Sequence, residues 1–300
     1  MHKKNMQGPL LVLLGAMLWS TNAPFLKVLQ LDSYLVIFLR ATIAGIVLLP
    51  TLQLRKVKWD RYVIIMLVSY TALCVGIVLA IRNTSANIAT GMQYTSPLLM
   101  FLLSWKRGET SFSLRRHWPL LALLCGLVVC MFSGGNSVTW QGNLYALSTS
   151  VAFTAMTLAS KRTTADNPLG MVSLTNLFCA VVTLLFFVPR PIGAQIAAIT
   201  VTDWAILLFL GSFQIAAGYT LYYIGLRTTE PAQAAMIAPC EMVLGPIWVA
   251  IFVHEYPDWI GLTGSLLIVL GVIGGVLVSR KDCVMVPSDA LPDQDSPPLS

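Results

Sequence analysis

The amino-acid sequence predicts an all-α polytopic membrane protein with ten transmembrane helices, arranged as two inverted five-helix repeats. Three observations predict this fold: an apolar composition, ten long apolar segments, and a weak internal repeat. Of the 300 residues, 56% are hydrophobic and only 11% are charged, and the mean hydropathy is +0.75. Since a soluble domain carries roughly 25% charged residues, lipid is the expected solvent for most of the chain.

Ten apolar segments are long enough to cross a hydrocarbon core of about 30 Å. The first five lie at 8 to 28, 33 to 53, 62 to 81, 87 to 105 and 118 to 134. The second five lie at 141 to 160, 170 to 188, 203 to 224, 232 to 252 and 259 to 278. The alternating strands of roughly 10 residues that a membrane barrel needs do not recur. Backbone groups in lipid must be satisfied internally, so the segments are predicted to be helices.

The two chain ends carry different signals. The basic start at His2, Lys3 and Lys4 resembles a signal peptide, but the apolar run behind it has full spanning length, so we expect it to be retained. Residues 279 to 300 contain four prolines among Ser and Asp, and they are predicted to form a disordered cytoplasmic tail.

Basic residues predict the orientation in the membrane. If the N-terminus is cytoplasmic, inside loops hold 15 of the 19 Lys and Arg residues: Lys3, Lys4, Arg55, Lys56, Lys58, Arg61, Lys106, Arg107, Arg115, Arg116, Lys161, Arg162, Arg227, Arg280 and Lys281. The positive-inside rule then places both termini of this multi-pass chain in the cytoplasm. The net charge of +6 therefore needs no nucleic-acid partner to explain it.

The internal repeat is visible when the chain is compared with itself. An offset of 145 residues superposes Trp59 on Trp204 and Arg82 on Arg227, and an offset of 134 superposes Gly8 on Gly142 and Lys27 on Lys161. The predicted repeats are 8 to 134 and 141 to 278. Each copy holds an odd number of helices, so the second copy is inverted relative to the first, as in many alternating-access carriers. A duplicated bundle without a transport role stays open.

Several classes of protein are not favoured. The six cysteines lack metal-ligand spacing, so neither a metal nor a disulfide is expected. No Walker loop is present to bind ATP, and no cofactor is predicted. The three histidines lie outside the apolar segments, which disfavours an integral-membrane enzyme. A channel-like or signalling protein stays open, and saturable counterflow would distinguish a carrier from it.

Four stretches of sequence resemble a known family: GAMLWSTNAPFLK at 15 to 27, FLRATIAG at 38 to 45, NTSANIATGMQYTSPLLMFLLSW at 83 to 105 and APCEMVLGPIWVAIFVHE at 238 to 255. They resemble the drug/metabolite transporter (DMT) superfamily, specifically its EamA-type members with ten helices. The resemblance covers roughly residues 8 to 278 and includes both copies. The chain departs from the family at Met242, where the second copy often has proline, whereas its counterpart Pro97 is retained.

The resemblance implies a secondary active transporter with a central cavity between its two halves. We expect a monomer or weak homodimer, since the glycines of the fifth and tenth segments suit packing within the monomer and leave a dimer face open. Such carriers often export amino acids or related small metabolites across the bacterial inner membrane. The small-molecule substrate is not named by these motifs. A multidrug or nucleotide-sugar type carrier of the same superfamily is the alternative.

Two charged residues lie within predicted spans, where charge is costly and tends to be functional. Glu241 is interpreted either as a proton-coupling carboxylate or contact for a substrate amine, or as a structural carboxyl between helices. Arg40 is interpreted either as a structural ion-pair or snorkelling residue, or as a clamp on a substrate carboxylate.

Polar and aromatic residues within the spans predict the substrate site, because rings with a few polar tips suit a small amphiphilic solute. The predicted substrate-binding residues are Trp19, Asn22, Gln93, Tyr94, Phe153, Tyr219, Tyr222 and Glu241. The repeat places Trp19 and Phe153 together at the junction of the halves. Packing, or an interfacial aromatic belt, is the alternative for each single ring.

Residues predicted to take part in coupling or gating form a second set: Glu241, Arg40, Lys27, Lys161, Pro97 and Pro239. The prolines remove a backbone hydrogen bond within a span. The two lysines lie at equivalent helix ends, where snorkelling anchors are the first interpretation and gate residues the second.

Overall fold

The structure is a computed structural model, and it describes residues 7 to 84, 86 to 108, 113 to 132, 139 to 164, 166 to 189, 191 to 253 and 259 to 284. Within these ranges the chain is helical and has no β-strand. The prediction of an all-α chain is thus confirmed for the part that the structure describes.

The N-terminal half, residues 7 to 132, contains seven helices in its described ranges: α1 (Gln7–Trp19), α2 (Asn22–Val28), α3 (Ser33–Val47), α4 (Arg61–Asn83), α5 (Ala86–Gln93), α6 (Ser96–Lys106) and α7 (Leu114–Phe132). Two short 3-10 turns, Leu49–Thr51 and Leu54–Lys56, connect α3 to α4. The predicted first and fourth segments are therefore each divided in two.

The C-terminal half, residues 139 to 284, begins with α8 (Trp140–Thr163), α9 (Pro168–Phe186) and the short α10 (Ile192–Ala197). The predicted eighth segment is α11 (Val201–Phe209), a π-helical segment (Leu210–Ala217) and α12 (Gly218–Leu226) in one continuous helical stretch. The ninth is divided into α13 (Pro231–Ile237) and α14 (Cys240–Val253), and α15 (Trp259–Val284) follows.

Within the described ranges, five helical stretches are long and apolar enough to cross a membrane: Gln7–Leu26, Arg61–Asn83, Leu114–Phe132, Pro168–Phe186 and Val201–Leu226. Two shorter apolar helices cover Ser33–Val47 and Trp259–Gly275. This set agrees with a polytopic membrane protein. The total of ten spans stays a prediction.

Capping residues fix where the helices begin. The Asp32 carboxylate accepts hydrogen bonds from the backbone N–H groups of Tyr34 and Leu35 at the start of α3. Asp60 does the same for Tyr62 and Val63 at the start of α4. These acceptors satisfy N–H groups that have no partner within the helix.

The most extensive helix contacts join the two halves of the chain. They pair α4 with α8, α7 with α15, α1 with α12, and α3 with α9. Glycines allow close approach in the second of these pairs: a β-carbon at Gly126 would lie 2.7 Å from the Gly264 carbonyl oxygen, and one at Gly271 would lie 2.7 Å from the Leu123 nitrogen. Small residues that let backbones touch are the usual basis of helix association in lipid.

The C-terminal helix is longer than predicted. It continues to Val284, beyond the expected start of the tail at 279. The remaining predicted tail, residues 285 to 300, lies outside the described residues.

Candidate functional site

Seven buried aromatic residues meet at the centre of the helix bundle. We call them the aromatic cluster: Trp19, Tyr70, Tyr94, Phe153, Tyr219, Tyr222 and Tyr223. None exposes more than 9% of its surface. They come from α1, α4, α8, α12 and the break after α5. Both halves of the chain therefore contribute rings to one cluster.

Trp19 contacts three other rings of the aromatic cluster. Its ring centroid is 4.7 Å from that of Tyr219, 5.0 Å from that of Tyr222 and 6.3 Å from that of Phe153. The Phe153 contact is edge-to-face, with an interplanar angle of 84°. Such pairs are worth roughly 0.5–1.5 kcal/mol beyond their area burial. The structure thus brings the predicted Trp19 and Phe153 pair into contact.

The chain breaks between α1 and α2 directly after Trp19. The Ser20 hydroxyl donates to the Met17 carbonyl at 2.6 Å, and the Thr21 hydroxyl donates to the Leu18 carbonyl at 2.7 Å. Side-chain donors of this kind satisfy carbonyls that an interrupted helix leaves free within a membrane. The break places Asn22 at the first position of α2, buried and next to the cluster.

Glu241 joins the aromatic cluster through Tyr94. The Tyr94 hydroxyl donates a hydrogen bond to the Glu241 carboxylate, across 147 residues of sequence. Glu241 lies in the first turn of α14, where the positive end of the helix dipole favours a negative charge. The two broken segments, α5 with α6 and α13 with α14, therefore meet at one carboxylate.

Both prolines predicted to gate the chain lie at these breaks. Pro97 is in the first turn of α6, and Pro239 lies between α13 and α14. Proline is tolerated at the start of a helix because its missing N–H would have no partner there. The prolines therefore separate two helices at each site and do not bend one continuous helix.

Arg40 is buried in α3, with 3% of its surface exposed. One terminal nitrogen donates to the Asn22 side-chain oxygen at 3.0 Å, whereas Nε has no hydrogen-bond partner among the described residues. No carboxylate in the described ranges pairs with it. A buried cation with a free donor is a place for an anion or for water, since burying a charge is costly unless it is paired.

Other buried polar atoms near the cluster also lack partners in the part of the chain that the structure describes. They are Trp19 Nε1, Gln93 Oε1, Ser96 Oγ, Gln214 Oε1 and the Tyr223 hydroxyl. Leaving such a group unpaired costs about 1–3 kcal/mol. Donors and acceptors of both kinds are thus available to a polar solute or to cavity water.

Two other ring hydroxyls are held by neighbouring helices. The Tyr222 hydroxyl lies 2.9 Å from the Thr157 hydroxyl on α8. The Tyr70 hydroxyl donates to the Asn176 side-chain oxygen on α9 at 2.8 Å. Tyr70 and Asn176 are absent from the predicted site. The sequence signal that could have indicated these two residues is a polar side chain within a long apolar segment.

Lys161 does not reach the aromatic cluster. It lies about two helical turns beyond Phe153 on α8, and its Nζ donates to the backbone carbonyls of Leu226, Arg227 and Thr229. It thus binds the C-terminal end of α12. The side chain of Lys27, the other predicted lysine, lies outside the described residues.

The model of the EamA-like transporter family matches residues 6–132 and 140–277 of the chain. The uncharacterized transporter YvbV of Bacillus subtilis (strain 168) is 24% identical over 275 residues, covering 88% of this chain and 89% of that protein. The threonine/homoserine exporter RhtA of Salmonella typhimurium (strain LT2) is 25% identical over 209 residues, covering 68% of this chain and 67% of that protein. The family and these relatives are transporters and not enzymes.

A crystal structure superposes on the fold with a TM-score of 0.74. The superposition covers 91% of this chain and 98% of that chain, at 19% sequence identity. The helical architecture described above is therefore shared with a solved structure.

Proposed function

Since the chain belongs to the EamA-like transporter family, within the drug/metabolite transporter superfamily, we propose that it is a secondary active transporter that exports amino acids or related small metabolites by alternating access. The observation that carries this proposal is the buried aromatic cluster with Glu241 and unpartnered polar atoms around it. The name of RhtA, a relative at 25% identity, supports amino acids as the solute class.

We propose that the chain spans the membrane ten times, as inverted repeats at 8 to 134 and 141 to 278. The pattern of helix contacts supports this arrangement. In the predicted repeats, α1 corresponds to α8, α4 to α12, α3 to α9 and α7 to α15. Exchanging each helix with its counterpart turns the contact of α1 with α12 into the contact of α8 with α4. The same exchange leaves the pairs α3 with α9 and α7 with α15 unchanged. The breaks in the fourth and ninth segments, at Tyr94 and Ala238, also fall at nearly equivalent positions.

The proposed orientation has both termini in the cytoplasm and the chain in the inner (plasma) membrane. The bias of 15 inside residues among 19 Lys and Arg supports it. In this orientation Lys161 lies at the cytoplasmic end of α8.

An amino acid offers an amine and a carboxylate, and the site offers a partner for each. Glu241, held by Tyr94, is suited to an ammonium group, and Arg40, held by Asn22, is suited to a carboxylate. Asn22, Gln93, Tyr219 and the rings around Trp19 complete the proposed substrate site.

We propose that Glu241 also carries the coupling proton. A carboxylate that binds either a proton or the substrate amine, but not both, links solute export to proton entry. The hydrogen bond from Tyr94 gives the ionised form a partner while the substrate is absent. Movement at the breaks beside Pro97 and Pro239 would then expose the site to each side of the membrane in turn.

Counterflow in proteoliposomes tests the transport proposal. Proteoliposomes that contain the purified protein are loaded with unlabelled amino acids, amines or nucleosides. The entry of the labelled solute is then followed. We expect saturable accumulation that is lost in Trp19→Ala and kept in Trp259→Ala, because Trp259 is 83% exposed and remote from the aromatic cluster. Accumulation of lipophilic drugs alone would favour the multidrug alternative, and conductance without saturation would contradict a carrier.

A further inference from the structure

Two arginines from different helices converge on one tyrosine where α4 begins and α8 ends. The Cζ atom of Arg162 lies 4.4 Å from the centroid of the Tyr62 ring, and that of Arg61 lies 5.0 Å from it. Both guanidinium groups also donate to the Tyr62 hydroxyl. We propose that Arg61, Tyr62 and Arg162, here called the arginine–tyrosine cluster, bind the phosphate headgroup of an anionic membrane lipid.

The arginine–tyrosine cluster lacks a negative charge of its own. Asp60, the neighbouring acid, accepts hydrogen bonds from the first N–H groups of α4. Asp166, on the other side, lies 4.0 Å from Lys58. Neither forms an ion pair with Arg61 or Arg162 within the described residues. Two guanidinium groups on one oxygen repel each other, and an anion between them would remove that repulsion.

Phosphate is the anion that this geometry fits. A guanidinium group binds phosphate through parallel N–H donors, and charge-assisted hydrogen bonds of this kind are about twice as strong as neutral ones. Arginines from two helices can hold different oxygens of one phosphodiester. A zwitterionic choline headgroup would bring a cation next to the same arginines, so a headgroup with net negative charge is favoured.

The exposed face of α4 that follows Arg61 is apolar, which favours a lipid over a soluble phosphate. Ile64, Ile65 and Val68 are 60%, 41% and 56% exposed. They follow Arg61 by three, four and seven residues and therefore lie on the same face of α4. Trp59, just before the helix, is 60% exposed, as expected for a residue at the membrane interface. A headgroup on Arg61 thus places an acyl chain along this apolar face.

The arginine–tyrosine cluster also joins the two halves of the chain. Arg61 and Tyr62 belong to α4, Arg162 belongs to α8, and these helices form one of the most extensive contacts in the structure. A lipid bound there would bridge the halves at one end of the bundle, which is the cytoplasmic end in the proposed orientation.

Native mass spectrometry of the purified full-length chain tests this site, with phosphatidylglycerol, phosphatidylcholine and soluble glycerol phosphate as probes. We expect phosphatidylglycerol to be retained in preference to the other two. Since a direct hydrogen bond to a charged group contributes roughly tenfold or more to binding, Arg162→Gln should weaken retention about tenfold, and Arg61→Gln with Arg162→Gln should weaken it further.

The matched control removes two exposed arginines elsewhere, Arg115→Gln with Arg227→Gln. Retention within twofold of the unmodified chain is expected for this control. An equal loss in both double variants would show that net charge alone retains the lipid, and equal retention of phosphatidylcholine would contradict a headgroup site. Binding of glycerol phosphate as tight as that of the lipid would assign the cluster to a soluble anion.

The single variant Arg162→Gln leaves the cap of α4 intact and keeps the test valid if the double variant does not fold.

Discussion

The Trp19 indole lies directly against the backbone of Gly218. A β-carbon at Gly218 would come within 2.7 Å of Trp19 Nε1 and 2.9 Å of Cδ1. Trp19 can occupy its position in the aromatic cluster because residue 218 has no side chain. The position of the ring therefore depends on a residue in the other half of the chain.

Gly218→Ala should displace Trp19 and weaken transport. An added methyl group in a packed core costs about 1–3 kcal/mol, and the indole is too rigid to absorb the clash. We expect a lower melting temperature in detergent and a raised KM in counterflow. Gly193→Ala is the control, since a β-carbon there meets nothing within 4 Å. Equal behaviour of the two variants would mean that Trp19 does not need its observed position.

Glu241→Gln should abolish the dependence of transport on a proton gradient while leaving the protein folded. Glutamine has nearly the same shape and can still accept the hydrogen bond from Tyr94, but it does not take up a proton. Counterflow at equal pH on both sides should persist with a raised KM, because the substrate amine loses its charged partner, whereas accumulation driven by a pH difference should be lost.

Glu230→Gln serves as the control, because Glu230 is exposed before α13. Unchanged pH-driven accumulation in Glu241→Gln would show that another group carries the proton.

Tyr70→Phe and Tyr223→Phe should differ in their effect on stability. Tyr70→Phe leaves the buried Asn176 oxygen without its donor, so the free energy of unfolding should fall by about 1–3 kcal/mol. The buried Tyr223 hydroxyl has no partner among the described residues, so its removal should leave that free energy unchanged or raise it, because the substitution removes an unpaired polar group. Thermal unfolding in detergent would separate the two, and a larger loss for Tyr223→Phe would contradict the described hydrogen bonds.

Arg40→Gln should lose selectivity for solutes that carry a carboxylate. Removing a buried and unpaired cation need not destabilise the fold, so the variant should remain purifiable. In counterflow we expect the KM for an amino acid to rise at least tenfold, while the KM for the corresponding amine, which lacks the carboxylate, stays within about threefold. A parallel rise for both solutes would assign Arg40 a structural role.

The length of the apolar segments predicted the positions of the helices well. The segment predicted at 62 to 81 is Arg61–Asn83, and the one predicted at 170 to 188 is Pro168–Phe186. Hydrophobicity determines these helices because lipid contact selects them directly. Pro97 and Pro239 also marked where the fourth and ninth segments are divided.

Other features depend on packing, which the local sequence does not specify. The π-helical segment Leu210–Ala217 lies against α3, where a β-carbon at Gly211 would be 2.6 Å from the side chain of Ile43. Glycine in an apolar run does not by itself indicate such a contact. Tyr70 was likewise missed, because a tyrosine in a span is equally compatible with lipid-facing, packing and solute-facing positions until its Asn176 partner is known.

The pairing of helices across the two halves also bears on how the protein is made. Translation delivers α1 to α7 first, yet the helices that α1, α3, α4 and α7 contact most, which are α12, α9, α8 and α15, all come later. The glycine-containing faces of the early helices therefore lie in the bilayer without their final partner helices until those helices are inserted. Insertion of the first half and assembly of the bundle are consequently separate events, and a ribosome that stalls near residue 139 would leave a chain that is inserted but not assembled.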